Sequence, residues 1–87
     1  MLELIVHEAA IKDLAAIDKG LRQFFYSHFE KACREDCPRR HLCVGLPYFV
    51  EEVTKQARFA YALENTAIRV VRCFATHKEY ERWFRLQ

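Results

Sequence analysis

The sequence has little glycine and proline, little net charge and no long apolar run. Two Gly and two Pro among 87 residues exclude collagen-like and linker-like chains. The uninterrupted apolar runs are a few residues long, far below the ~18 needed to cross a bilayer, so we expect no membrane association. Glu3 stands where an export signal would carry Lys or Arg, so we expect a cytoplasmic protein.

The composition is that of one small globular domain. Hydrophobic residues make up 52% and charged residues 30%, which excludes intrinsic disorder. A length of 87 residues leaves room for a single domain over residues 1–87 with a small core. The net charge of +2 is uneven, since residues 1–53 carry 7 basic and 9 acidic groups and residues 54–87 carry 7 basic and 3 acidic groups. The basic second half suits a polyanion such as RNA, although solvated ends of strands and a helix would show the same excess.

The first part of the chain carries one strand pattern and two helix patterns. The short apolar segment Leu2–His7 predicts a strand. Apolar residues at helical spacing then predict a helix that stops at Gly20. A second helix over most of 21–35 is predicted by a continuous apolar stripe: Leu21, Phe24, Phe25, His28, Phe29, Ala32 and Cys33. Within that stripe, His28 is expected to be a hydrogen-bonded core residue.

The second part of the chain changes to a period of two. Residues 36–47 contain two prolines and a glycine and predict an irregular connection. Three strands joined by short turns are predicted next: Tyr48–Thr54, Arg58–Leu63 and Ala67–Ala75. Thr76 and Glu79 match a capping box that begins a last helix. The order β-α-α-β-β-β-α predicts an α+β domain, an antiparallel sheet with a helical hairpin on one face.

Three segments resemble the RelE/ParE superfamily of small toxins from toxin–antitoxin pairs. The segment AAIKDLAAI is similar to the family's first helix, and RFAYALENTAIRVV resembles its Arg-Leu-Val-Tyr hairpin, with Arg58 and Tyr61 at the marked positions. The segment THKEYERWF resembles the His-x-x-Tyr ending of HigB-like members. The likeness in element order covers nearly the whole chain, except that the cysteine-rich connection departs from the family pattern. It implies a RelE-like, microbial-ribonuclease-like fold with one open sheet face.

The resemblance implies the toxin of a type II toxin–antitoxin system. In the RelE, YoeB and HigB branches such toxins cut mRNA, commonly at the ribosome, and the ParE branch inhibits gyrase. The expected partners are therefore a cognate antitoxin protein and mRNA on the ribosome. RNA cleavage by attack of the 2′-OH needs a base, an acid and cationic donors at the phosphate, and it needs no metal cofactor.

Three residues are the candidates for catalysis. Arg58 occupies the strand position where family RNases place a phosphate-stabilising Arg, although a solvated strand residue would look the same. His77 opens the last helix, and an ordinary His titrates near pH ~6.5, which suits an acid or base. Tyr80 lies one turn later and could hold the phosphate, stack on a base or simply pack on the sheet.

Other charged residues are candidates for binding RNA or for a second catalytic role. Lys78, Arg82 and Arg72 could bind phosphates by salt-sensitive contacts. Glu51 or Glu52 could supply a carboxylate base, but alternation along a strand puts them on opposite faces and does not say which one faces the site.

Four potential metal ligands lie close together at the end of the second helix and in the connection that follows it. Cys33, Cys37, His41 and Cys43 could hold a structural zinc ion, which prefers four tetrahedral Cys or His ligands. A disulfide and plain thiols are the two alternatives, and the sequence leaves all three open. Cys73, in the last predicted strand, is expected in the core.

Two rival functions remain beside the ribonuclease. One is a non-catalytic binding protein on the same fold, such as a gyrase inhibitor, and the other is a metal-stapled interaction module. The group of His77, Lys78 and Tyr80 beside Arg58 favours the ribonuclease, because ParE-like chains generally lack an acid or base there.

Overall fold

A computed structural model describes residues 1–34 and 47–87 together with the backbone of 41–42. This part of the chain forms five strands and three helices: β1 (Glu3–Val6), α1 (Glu8–Ala15), α2 (Lys19–Ala32), β2 (His41–Leu42), β3 (Phe49–Glu52), β4 (Arg58–Glu64), β5 (Ala67–Phe74) and α3 (His77–Arg85). The predicted α+β class and RelE-like order of elements are confirmed. The two-residue β2 is an addition, since it falls in the connection that was predicted to be irregular.

The strands form one mixed sheet in the order β1-β5-β4-β3-β2. Neighbours from β2 to β5 are antiparallel, whereas β1 pairs with β5 in parallel, which differs from the wholly antiparallel sheet expected. The two parallel strands are far apart in the chain, so no tight turn forces them to run in opposite directions. Between β4 and β5, Asn65 adopts a positive φ of 48°, as the predicted tight turn requires.

The boundary between α1 and α2 lies earlier than predicted. Asp18 caps α2, because its carboxylate accepts the N–H groups of Gly20 at 2.9 Å and of Leu21 at 3.4 Å. Gly20 therefore lies in the first turn of α2 and does not end α1. The Arg22 side chain donates to the carbonyls of Leu14 and Ile17 and so satisfies the end of α1.

The helical hairpin packs on one face of the sheet. Phe29 meets Phe59 edge to face at 4.8 Å, and Phe25 lies against both rings. Phe24, predicted in the stripe, is 58% exposed, because a flat sheet buries only a narrow line along α2. This cluster includes the following buried residues: Ala10, Leu14, Ile17, Phe25, Phe29, Ala32, Cys33, Phe59, Tyr61, Ile68, Val70 and Cys73.

The opposite face carries a second, smaller cluster under α3. Val50, Ala60 and Phe74 are buried there. Three of the side chains that cover them come from α3, namely Tyr80, Trp83 and Phe84. Tyr48 and Val71 pack against the same cluster. The face that the resemblance implied to be open is therefore partly covered by α3.

A β-bulge in β5 reverses the alternation of its side chains. Arg72 pairs with Ala60 and Val70 pairs with Tyr61, which leaves Val71 as the extra residue. Val70 and Cys73 consequently pack on the same side, under α1 and α2, while Val71 packs under α3. The alternation predicted by the period of two fails beyond Val71 for that reason.

In the part of the chain that the structure describes, no helix has both the length and the apolar character needed to cross a membrane.

Candidate active site

Arg58 begins β4 and points to the side of the sheet that carries α3. Its side chain is 11% exposed, and a guanidinium nitrogen donates to the Lys55 carbonyl at 2.9 Å. The Glu52 carboxylate, directly across the sheet, stands 3.8 Å from the guanidinium. Within the described residues, the Arg58 Nε has no hydrogen-bond acceptor. The site therefore holds a nearly buried cation with unused donor capacity.

The first turn of α3 brings Tyr80 to Arg58 and places His77 beside Tyr80. The capping box of Thr76 and Glu79 begins the helix at His77, as predicted. The Arg58 guanidinium carbon lies 5.5 Å from the centre of the Tyr80 ring, within cation–π range. The Tyr80 ring lies 6.1 Å from the His77 ring. Tyr80 therefore neighbours both Arg58 and His77.

His77 is oriented by a carboxylate on its own helix. Its Nε2 lies 2.7 Å from the Glu81 carboxylate, which also accepts a hydrogen bond from Arg85 at 3.1 Å. A proton on Nε2 donates to Glu81 and leaves Nδ1 as the acceptor of the neutral ring. The backbone N–H of His77 donates to the Gln56 side chain at 3.3 Å. Glu81 and Gln56 were not predicted, although the spacing of His77 and Glu81 by four residues is readable from the sequence.

The structure separates the two candidate glutamates. Glu51 faces α2, where its carboxylate lies 3.1 Å from the His28 Nδ1 in a half-buried pair. His28 is therefore hydrogen-bonded, as expected, but it is half-buried and lies outside the core where it was expected. Glu52 lies on the other face, beside Arg58. Of the two, only Glu52 faces the candidate site.

The predicted RNA-binding residues differ in what they contact. Lys78 and Arg82 are exposed on α3. Arg72 is held by Asp13, whose carboxylate accepts from the guanidinium at 2.7 and 3.1 Å. Hydrogen bonding to Asp13 raises the pKa of Arg72, so its charge is permanent. Asp13 lies 59 positions away and was missed, because nothing in the local pattern signals such a contact.

The predicted zinc ligands lie mostly outside the described residues. Cys37, Cys43 and the side chain of His41 belong to that part, and Cys33 is buried at the end of α2. Among residues 1–34 and 47–87, no three or more His, Cys, Asp or Glu side chains converge as a metal site would require. The structural zinc stays a prediction. Cys73 is a buried free thiol, as expected, and burial raises its pKa.

The fold matches solved toxin structures, although no protein-family model and no curated protein matches the chain. The E. coli RelE toxin is 13% identical over 100% of both chains, with a TM-score of 0.74. The RelB–RelE antitoxin–toxin complex from Methanococcus jannaschii matches at 10% identity over 92% of this chain and 98% of that one, with a TM-score of 0.69. A YoeB/ParE toxin from Agrobacterium tumefaciens matches at 16% identity over 84% and 96%, with a TM-score of 0.66. The chain therefore has the fold of RelE/ParE-type toxins, as the sequence resemblance implied.

Proposed function

We propose that this protein is the toxin of a type II toxin–antitoxin pair and that it cleaves mRNA without a metal ion. The fold supports the toxin role, since RelE and YoeB/ParE toxins share it and one of the similar structures is an antitoxin–toxin complex. The meeting of Arg58, Tyr80 and His77 supports the ribonuclease chemistry.

Arg58 is the group proposed to stabilise charge on the scissile phosphate. Its guanidinium is fixed by the Lys55 carbonyl and the Tyr80 ring, so its free donors are oriented before substrate arrives. Donors held in advance stabilise a transition state without reorganisation. Glu52, 57% exposed and 3.8 Å away, is the counter-ion that a phosphate would replace.

His77 is proposed to take the proton of the attacking 2′-hydroxyl while the bond from phosphorus to the 5′-oxygen breaks, and the leaving 5′-oxygen takes its proton from solvent water. With Nε2 bound to Glu81, its Nδ1 is the ring nitrogen with a lone pair to accept that proton. The Glu81 carboxylate, 2.7 Å from Nε2 and partly exposed, stabilises the imidazolium that results. The proposed role therefore assigns Glu81 to position His77.

Substitution tests this assignment directly. Arg58→Ala should lower the cleavage rate by about 10²–10³, the effect of losing one oriented donor. His77→Ala should lower it by about 10²–10⁴. The matched control is Arg69→Ala, which also removes one arginine but breaks only a half-exposed pair with Glu64. The measurements are growth arrest on expression and primer extension on cellular mRNA, with circular dichroism to confirm folding.

Two outcomes would contradict the proposal. Folded Arg58→Ala and His77→Ala proteins that remain as toxic as the parent would reject the catalytic assignment. A parent that is harmless and leaves mRNA whole, on ribosomes and off, would favour a non-catalytic binding protein. Supercoiling assays with gyrase would then test the inhibitor alternative.

A further inference from the structure

A cleft on the far side of α3 from His77 has no role in the chemistry above. It has a volume of about 240 Å³ and lies between α3, the end of β5 and α1. We call it the edge cleft, and its lining includes Asp13, Arg72, Phe74, Arg82, Trp83 and Leu86. Ligand pockets usually measure about 300–1,000 Å³, so this one fits a single group of a larger ligand.

The edge cleft exists because β1 is shorter than β5. The register pairs β1 with β5 only as far as Val70, so the bulged end of β5 continues past its neighbour. Asp13 fills part of this edge by accepting the Cys73 N–H at 3.0 Å. Arg72 is anchored to the same carboxylate and is 38% exposed.

Both acidic groups of the edge cleft accept hydrogen bonds from the protein itself. Asp13 accepts the three hydrogen bonds from Arg72 and the Cys73 N–H. Glu79 accepts from the N–H groups of Ala75 and Thr76, both at 3.0 Å, in the cap of α3.

The two arginines, in contrast, have donors left. A guanidinium carries five N–H donors, and Arg72 spends two of them on Asp13. Arg82 is exposed, and no ion pair or hydrogen bond engages it in the described part of the chain. The two arginines therefore offer free guanidinium donors at the cleft, which suit an anionic, acceptor-rich group.

The walls of the edge cleft are flat. Trp83 packs at 5.4 Å against Phe74 and at 5.7 Å against Tyr48, so its ring is fixed. The Arg72 guanidinium lies 5.8 Å over the Phe74 ring. A planar aromatic wall beside guanidinium groups suits a phosphate that carries a planar base, because bases stack on aromatic side chains. An acidic peptide would satisfy the arginines but offers no ring for Trp83.

We propose that the edge cleft is a nucleotide subsite for single-stranded RNA, in which Arg82 and Arg72 bind one phosphate and Trp83 contacts the adjoining base. The choice of RNA rests on the proposed function. Phe74 lies buried under α3 between the two sites, since its ring contacts Tyr80 at 5.6 Å and Trp83 at 5.4 Å.

Trp83 is the only tryptophan of the chain and lines the edge cleft, so its fluorescence reports on binding there. Its ring also lies 6.3 Å from that of Tyr80, so the dependence of the signal on Arg82 is what assigns it to the cleft. The probe is a 2′-O-methyl RNA hexanucleotide, which cannot be cleaved by attack of a 2′-hydroxyl. Binding should quench the fluorescence, and Arg82→Gln should raise the Kd about tenfold or more at low salt. The slope of log K against log salt should fall by about 0.7, the value for one lost phosphate contact on a single strand.

The matched control is Arg85→Gln, which removes the same charge from the same helix. Arg85 is bound to Glu81 and does not line the cleft, so its Kd should stay within about twofold of the parent, as for a surface charge. Inorganic phosphate and a hexaglutamate peptide are the competing ligands. Binding of either one as tight as that of the hexanucleotide would overturn the subsite.

The subsite and the ribonuclease proposal can fail separately. Absent quenching, or quenching that Arg82→Gln leaves unchanged, overturns the subsite even if mRNA is cut in cells. Quenching that depends on Arg82, in a protein that cuts no mRNA, supports the subsite and overturns the ribonuclease.

Discussion

Asp13 joins two elements that lie far apart in the chain. Its carboxylate joins α1 to the bulged end of β5 through the guanidinium of Arg72 and the N–H of Cys73. Without it, a backbone donor at the sheet edge and a permanent cation would both lose their partner, and unpaired polar groups away from water are costly. The Asp13 carboxylate therefore stabilises the bulged end of β5.

The Cys73 thiol should be chemically silent in the folded protein. Its side chain is 4% exposed and burial raises its pKa, while only the thiolate reacts. At pH 8.5 we expect alkylation of Cys73 by iodoacetamide to be slower in the folded than in the unfolded chain by about 100-fold or more, since each unit of pKa removes about tenfold of the thiolate. Peptide mass spectrometry measures this rate at each cysteine.

The same shift predicts how stability depends on pH. Below the unfolded thiol pKa of about 8.5 both states keep the proton, so Cys73 contributes no pH dependence. Above it the unfolded chain loses the proton and the folded chain does not, so the free energy of unfolding falls by up to about 1.4 kcal/mol per pH unit. Cys73→Ala should lack this decline. Equal declines in both proteins would contradict the assignment.

The helices show which boundaries are readable from sequence. The apolar spacing predicts α2 and its buried Phe25 and Phe29, because the spacing alone determines a helix face. It misplaces the start of α2, since the Asp18 cap outweighs the glycine as a boundary signal. It cannot place the β5 bulge, which depends on pairing with a neighbouring strand.

The candidate site likewise contains residues that the sequence predicts and residues that it does not. Arg58, His77 and Tyr80 are reachable by resemblance and helical spacing, and the i,i+4 partner Glu81 is readable in principle. The choice between Glu51 and Glu52 needs the side of the sheet on which each lies. Asp13 needs a contact across 59 positions that no local rule predicts.

The first turn of α3 should be sensitive to its cap. The Thr76 hydroxyl accepts the Glu79 N–H at 3.2 Å, and losing a threonine cap costs about 0.5–2 kcal/mol. Thr76→Ala should lower the free energy of unfolding by that amount in urea denaturation. Thr76→Ser keeps the hydroxyl and is the control. Parent-like stability of Thr76→Ala would mean that packing against the second cluster alone holds α3.

On the scale of the whole molecule, two apolar clusters share one sheet. The larger lies under α1 and α2, and the smaller under α3. A domain of this length buries a modest core, so a further constraint would add noticeably to its stability. The cysteines after α2 are the candidates for such a constraint.

The zinc hypothesis has a direct test. If Cys33, Cys37, His41 and Cys43 hold zinc, purified protein should contain about one zinc per chain, and a chelator should lower the Tm by several degrees, because metal binding energy is folding energy. Cys37→Ala should lose the metal, and Cys73→Ala should keep it. Four titratable thiols without metal would reject the hypothesis.

The parallel pairing of β1 with β5 also has a consequence for synthesis. Glu3 pairs with Ala67, so 64 further residues must be synthesised before the pairing of β1 with β5 can begin. Pairings so distant along a chain form slowly and late. A ribosome making this protein would therefore hold an unfinished sheet until β5 has been made. His77 follows β5 in the chain, so the candidate site could assemble only after the last strand of the sheet and α3 are both available.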